Sequence, residues 1–332
     1  MPRLSLTAQR PSWASLSHPV LRTILQREQQ RHTRAARALA AIVGVGMALS
    51  VLYFGVDAYR RDMSLGISGQ NESPVFSVLY LFLLLMQLFA QLAALLLASS
   101  LFASERQREA WELVKITSHG AEFAVWARWA AVMYRLRWLL AAVWMPRLFF
   151  TVTMLAGLTD YHGRQLDLAI AGGAPALSIP VAIGLLAALM AATLLQPLVA
   201  VALNASAGLA IVALAGSGRL YQLVRCAAMA AQMIGFCAAL AAGWIVLNGD
   251  PWTPGYATMA MGERWANLLL MAAGGDQGLR LMNLQTAFRA WTDVEYGALI
   301  GVALLAVVVG ELMLAQGLAR WAAYRAGRPG RG

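Results

Sequence analysis

The stretch that decides the fold is Phe76–Ala103, FSVLYLFLLLMQLFAQLAALLLASSLFA, which contains no charged residue. As an α-helix its 28 residues would be about 42 Å long, because each residue adds about 1.5 Å. The hydrocarbon core of a bilayer is about 30 Å thick. The stretch therefore predicts a membrane-spanning helix that crosses with tilt.

Comparable apolar runs recur along the whole chain. Hydrophobic residues make up 60% of the sequence, charged residues make up 13%, and the mean hydropathy is +0.61. Soluble domains are about 45–50% apolar and about 25% charged. We predict an all-α, polytopic transmembrane bundle of about six spans. The predicted spans are 38–56, 76–103, 138–158, 174–215, 227–247 and 297–318.

The run 174–215 is about twice as long as one crossing needs, and three interpretations remain open. It is one long helix kinked at Pro197, or it includes an interfacial or re-entrant piece, or it is a hairpin. A hairpin would require a further crossing near residue 265 and eight spans in total. Six spans agree better with the placement of arginines.

Arginine placement predicts the orientation. Arginines concentrate in the first 37 residues, in 104–128, in 216–225 and in the tail, whereas most acidic residues lie in the other loops. The positive-inside rule then places both termini in the cytoplasm. This also explains the net charge of +10 without nucleic-acid binding, which we do not expect. We expect residues 1–37 to form a cytoplasmic tail and interfacial helix without a cleaved signal, 38–318 the transmembrane domain, and 319–332 a basic cytoplasmic tail.

The sequence offers no recognisable catalytic or metal centre. A phosphate-binding loop needs a lysine followed by Ser or Thr, but the single lysine, Lys115, precedes Ile116. There is no HExxH motif, and the four histidines are scattered outside the predicted spans. Cys226 and Cys237 are predicted to be buried, inert thiols. We therefore expect no enzyme activity, no metal and no cofactor in this chain itself.

Polar residues inside predicted spans are the candidates for function. Arg147 and Glu311 are the clear intramembrane charges, and burying a charge is costly unless it is paired. Together with Gln87 and Gln91 they predict either a polar path or a structural role, in which Arg147 and Glu311 form an ion pair or snorkel to the membrane interface. Other polar residues are predicted to hold helices together: Ser99, Ser100, Gln196, Asn204, Ser206 and Gln232.

A charged segment, 104–128, follows the second predicted span, and we expect a short amphipathic helix in it. Its sequence 105–118, ERQREAWELVKITS, resembles the cytoplasmic coupling segment of the type-2, exporter-like family of ABC transporter permeases, ERExGTxELLxxTP. Identities fall at Glu105, Arg106, Glu112, Leu113 and Thr117, and Trp111 occupies an apolar position. Gln107, Glu109, Ala110 and Ser118 depart from the pattern. The sequence HPVLR at 18–22 similarly resembles the entry to that family's interfacial helix.

The resemblance implies a permease subunit in a bacterial inner (plasma) membrane. It would pair with a second permease, the same chain or a sibling, and contact membrane lipids. A separate ABC ATPase subunit would hold ATP and Mg²⁺. Contacts to that ATPase would come from the coupling segment: Glu105, Arg106, Glu109, Trp111, Glu112, Leu113 and Thr117. Two alternatives remain open, a non-transporting scaffold subunit and a secondary carrier.

Overall fold

A computed structural model describes residues 74–106, 120–159, 167, 177–216, 218–248 and 259–327. Within these ranges the structure is helical and contains no strand. The helices are α1 Pro74–Arg106, α2 Gly120–Thr159, α3 Ile179–Ala215, α4 Arg219–Asn248, α5 Met261–Leu270, α6 Leu284–Asp293 and α7 Ile300–Gly327. The predicted first span 38–56, the interfacial helix in 1–37 and the end of the tail lie outside the described residues.

Among the described residues, five helical stretches are long and apolar enough to cross a membrane: Tyr80–Ala103, Glu122–Leu158, Ile179–Ala215, Arg219–Gly243 and Gly297–Gly327. They alternate in direction, as two stacked apolar cores show. One core contains the start of α1, α3 and α7 and the later parts of α2 and α4; the other contains the opposite halves. We call the bundle end near residues 74, 159 and 300 end A, and the end near 106, 120, 215 and 327 end B.

Helix α3 lies at the centre of the bundle and packs against α1, α2, α4 and α7. It begins after Ser178, whose backbone is extended, and Pro180 occupies its first turn, where a missing N–H costs nothing. It ends at Gly216, whose φ of 68° is a conformation that glycine adopts readily. Within the run 174–215, Ile179–Ala215 therefore forms one continuous helix that contains Pro197, and the hairpin alternative is wrong.

Four helices extend beyond the predicted spans, and of these α1 does so by only a few residues. Helix α2 begins at Gly120 rather than near Trp138, α4 begins at Arg219, and α7 continues to Gly327. The extensions carry arginines whose long stems pack on apolar neighbours. Arg128, for example, is 4% exposed, donates to the carbonyl of Ala124 and lies 5.5 Å from the centre of the Phe102 ring. Residues 104–106 and 120–128 thus belong to the long helices.

Residues 261–293 enter the bundle from end A and return to it without crossing. Helix α5 continues into a π-helical turn, Met271–Gly275, and the chain reverses at Asp276–Arg280 before α6 leads back. The indole N–H of Trp265 donates to the carbonyl of Glu295 at 2.8 Å, which joins the entry to the exit. The apolar part near Trp265–Ala273 is too short to cross the membrane. We call residues 261–293 the re-entrant segment.

Helix α4 is the least buried of the five candidate spans, because only 11% of the residues in its most apolar stretch are buried. Cys226 and Cys237 are both free and exposed on it, so the prediction that they are buried is wrong. The apolar run 227–247 correctly predicted a long helix. The run gave no information on whether that helix is surrounded by protein or lies on the exterior of the described bundle.

Candidate functional site: a buried arginine cluster and an acidic cavity

Arg147 lies on α2 at mid-height of the bundle and is 1% exposed. Its guanidinium donates to the main-chain oxygens of Thr193 at 2.6 Å, Gln277 at 2.8 Å and Asp276 at 3.0 Å, and to Oε1 of Gln87. Four acceptors from α1, α3 and the re-entrant segment therefore surround one cation. A planar guanidinium with five N–H donors suits such a junction, whereas the compact ammonium of lysine does not.

The turn at Asp276 supplies two of these carbonyls because its own side chain fixes it. The carboxylate of Asp276 accepts from the N–H of Gly278 and from the N–H of Arg280, both at 2.9 Å, and from the hydroxyl of Tyr80 at 3.1 Å. Gln277 and Gly278 are both left-handed, with φ of 55° and 75°. A Cβ at Gly278 would also meet Thr193 Cγ2 at 2.2 Å, so only glycine fits.

Opposing effects act on the Asp276 carboxyl group, which lies between the candidate spans. Burial raises its pKa from the ordinary value, while the Arg280 N–H, Tyr80, the charge of Arg147 and the Gly278 N–H lower it. The donors around it are arranged for the charged form. Arg147, Gln87, Tyr80, Asp276 and their backbone partners, which we call the arginine cluster, thus form a closed polar junction.

A second polar region surrounds Glu311, on α7. Its Oε2 accepts from Nε2 of Gln196 at 2.9 Å, and the side chain lines a partly open cavity of about 410 Å³. Volumes of about 300–1,000 Å³ are typical of small-molecule sites. The other polar side chains in the wall are Gln91, Asn204, Gln232 and Gln277. We call this the acidic cavity.

Several carboxamide oxygens at the acidic cavity have no donor within the part of the chain that the structure describes. They are Oε1 of Gln232 and Oε1 of Gln277, both in the wall, and Oε1 of Gln196, the residue that contacts Glu311. Buried polar atoms normally have a hydrogen-bond partner. Unlike the arginine cluster, the polar residues around the acidic cavity are therefore incompletely paired within the described part of the chain.

Gln277 connects the two regions. Its main-chain oxygen accepts from Arg147, and its side chain lines the cavity with Glu311. The turn 276–278 therefore separates the guanidinium of Arg147 from the carboxylate of Glu311. Arg147 and Glu311 do not pair with each other: each has different described partners, so the predicted ion pair between them is wrong.

The structure brings the candidate span residues together in two groups. Gln87 joins Arg147 in the arginine cluster, and Gln91 joins Glu311 at the acidic cavity. Gln91 also accepts from Nε2 of Gln232 at 2.7 Å, a contact between α1 and α4 of the predicted kind. Four other polar residues bond within their own helices instead, to a carbonyl three or four residues earlier: Ser99, Ser100, Asn204 and Ser206.

The predicted coupling segment is described only at its edges. Glu105 and Arg106 form the last residues of α1 at end B, and α2 starts at the same end with Gly120. The remaining predicted contacts lie outside the described residues: Glu109, Trp111, Glu112, Leu113 and Thr117.

Sequence reasoning missed Asp276, Gln277, Tyr80 and Thr193 as members of the site. Asp276 and Gln277 lie in a stretch that looks like an ordinary polar loop, 249–296. The available signal was GGDQG at 274–278, a turn sequence flanked by apolar residues on both sides. Thr193 contributes its carbonyl, and a main-chain contact has no signature in the side-chain pattern.

No protein-family model, curated protein or solved structure matches this chain.

Proposed function

We propose that this chain is the membrane-spanning permease subunit of an ABC transporter, with ATP hydrolysed by a separate ATPase subunit. The observation that carries the proposal is the position of the coupling-like sequence 105–118. It connects α1 to α2 at end B, between two candidate spans. A charged cytoplasmic connection between spans is a suitable docking surface for a soluble partner.

The charge distribution along the bundle supports this placement. Arg219, Arg225, Arg320 and Arg325 all lie in the parts of α4 and α7 nearest end B. Glu263, Asp293 and Glu295 lie near end A and are exposed. With the positive-inside rule, end B is then cytoplasmic, on the side where an ATPase works. Six spans with both termini inside are part of the same proposal.

Movement of substrate would come from a rearrangement of the helices that is biased by nucleotide binding to the partner. Each of the two ends of the bundle has its own apolar core, and the polar residues lie between the cores. Such a layout lets one end open while the other remains packed. The partner ATPase supplies the free-energy difference between the two states.

The test is co-purification followed by charge reversal. The tagged chain, extracted in mild detergent, is expected to retain an ATPase subunit that contains a phosphate-binding loop. The double variant Glu105→Arg/Glu112→Arg should abolish the stimulation of ATP hydrolysis by the membrane subunit. A control variant, Glu263→Arg/Glu295→Arg, reverses two exposed acids near end A and should leave stimulation intact.

Two results would contradict the proposal. One is a complex that contains no ATPase under conditions where the bundle stays folded, which favours the scaffold alternative. The other is a Glu105→Arg/Glu112→Arg variant with normal assembly and normal stimulated turnover.

A secondary carrier is the second candidate, and the acidic cavity favours it. Carriers coupled to ions use intramembrane acids as coupling sites, and Glu311 faces a cavity at mid-height of the bundle. This alternative predicts accumulation of substrate in proteoliposomes that contain this chain alone and an ion gradient, without ATP. The permease proposal predicts no accumulation there.

A further inference from the structure

The acidic cavity combines a carboxylate with an apolar wall. Leucines line it from three helices: Leu95 on α1, Leu203 on α3, and Leu314 and Leu318 on α7. The re-entrant segment closes one side with the π-helical turn, through Ala273, Gly274 and Gln277. One wall is thus able to hold a hydrocarbon group while another offers oxygen acceptors.

The polar wall is partly engaged with itself. Gln232 uses its Nε2 to bind Gln91, and Gln196 uses its Nε2 to bind Oε2 of Glu311. The oxygens of Gln232 and Gln277 have no donor among the described residues, but they are buried from water and do not face the cavity. The carboxylate of Glu311, which is partly exposed and lines the cavity, is therefore the acceptor that a ligand with hydrogen-bond donors can reach.

Charge points to the same class of ligand. Glu311 has a carboxamide partner and no cationic partner within the described part of the chain. A carboxylate inside a membrane bundle is stabilised by a cation more than by an amide, because the Coulomb attraction between opposite charges adds to the hydrogen bond and is strong at low dielectric. The arginine cluster is occupied with its own four acceptors and supplies no such cation.

We infer that the acidic cavity is a binding site for an organic cation that carries a protonated primary amine on an apolar tail. The ammonium group donates to the carboxylate of Glu311, and the tail packs against the leucines. A bare metal ion would leave most of a cavity of about 410 Å³ unfilled. As a ligand site the inference stands alone; as a substrate class it rests on the proposed function.

Three probes with the same octyl chain separate the parts of this inference. Octylammonium carries a charge and three N–H donors, octyltrimethylammonium carries a charge without donors, and octanol carries one donor without a charge. Binding is measured by calorimetry on the protein in lipid nanodiscs, with empty nanodiscs subtracted. We expect octylammonium to bind most tightly, octyltrimethylammonium more weakly, and octanol at least about tenfold more weakly than octylammonium.

Variants locate the binding. Glu311→Gln removes the charge at constant shape and should weaken octylammonium binding by about tenfold or more, with little effect on octanol. Glu295→Gln removes an exposed acid outside the cavity and should leave the affinity unchanged. Each variant's thermal midpoint identifies any that do not fold.

The inference is overturned by equal octylammonium affinity in the parent chain and folded Glu311→Gln, or by octanol binding as tightly as octylammonium. The inference would also be overturned if sodium ions bound to the site and their binding did not depend on an octyl chain, which would favour a metal-ion site. The experiment contains no ATPase. Normal binding without ATPase coupling would therefore contradict only the proposed function, and normal coupling without binding would contradict only this inference.

Discussion

The arginine cluster and the acidic cavity are both polar regions at mid-height of an apolar bundle, yet they are built oppositely. Around Arg147 every acceptor from three separate elements has a donor. Around Glu311, carboxamide oxygens remain without one in the described residues. A complete cluster stabilises the fold, because removal of one member strands the others. In the incomplete one, the partly exposed carboxylate of Glu311 is left able to bind a ligand in the cavity.

The sharpest test of this difference is Arg147→Leu. The substitution leaves three main-chain oxygens and Gln87 unpaired in a low-dielectric interior, and we expect a loss of about 3–5 kcal/mol in the free energy of unfolding. The measurement is denaturant unfolding in mixed micelles. Arg137→Leu on the same helix removes an exposed arginine and should change stability by less than about 0.5 kcal/mol. Equal losses in both variants would show that the cluster is not structural.

A second variant tests how rigidly α7 holds the acidic cavity. A Cβ at Gly301 would meet the carbonyl oxygen of Leu185 at 2.6 Å and the N of Leu189 at 2.7 Å. Gly301→Ala should therefore separate α7 from α3 and cost about 1–3 kcal/mol, the typical penalty of overpacking.

Gly310 on the same helix provides the matched control for Gly301. A Cβ there would contact nothing within 4 Å, so Gly310→Ala should be neutral or stabilising by up to about 1 kcal/mol. A Gly301→Ala protein as stable as Gly310→Ala would mean that the two helices are free to separate. Thermal midpoints of both variants in one detergent decide between these outcomes.

Tyr80→Phe tests a peripheral bond of the arginine cluster. It removes the hydroxyl that donates to Asp276 while keeping the ring, so the free energy of unfolding should fall by about 0.5–1.5 kcal/mol. Tyr296→Phe changes an exposed tyrosine and should have no measurable effect. If Tyr80→Phe were as damaging as Arg147→Leu, the tyrosine rather than the arginine would organise the cluster.

The smallest expected effect on stability is that of Glu311→Gln. An amide of the same shape still contacts Gln196, so the free energy of unfolding should change by less than about 0.5 kcal/mol. This outcome, beside the large effect of Arg147→Leu, would complete the contrast between a structural polar cluster and a binding one. A loss of several kcal/mol at Glu311 would instead assign it a structural role.

Most of the described fold could be predicted because a bilayer leaves few options. A span must satisfy its own backbone hydrogen bonds, so uncharged runs such as 76–103 become helices whatever their neighbours are. Helix limits were harder, since Arg128 and Arg135 lie within α2 where charged residues suggested a break. Helix neighbours, and hence the exposed position of Cys226, depend on packing that one sequence does not display.

The site could be predicted in its side chains but not in its connections. Arg147, Gln87, Gln91 and Glu311 stand out as polar residues in apolar runs. The acceptors that receive Arg147 are mainly carbonyls, which every residue carries. Two of them belong to a re-entrant turn more than 120 residues downstream of Arg147. The sequence around Arg147 gives no indication of a contact with residues so far along the chain.

That distance has a consequence for synthesis of the chain. Arg147 leaves the ribosome well before Asp276 and Gln277, which lie 129 and 130 residues later. At about 5–20 residues per second, the delay is roughly 7–26 s. Of the four acceptors of the Arg147 guanidinium, Gln87 and the carbonyl of Thr193 are the two that are synthesised before the re-entrant turn. Until the re-entrant turn is inserted, the guanidinium of Arg147 therefore depends on water or on the insertion machinery for its remaining hydrogen bonds.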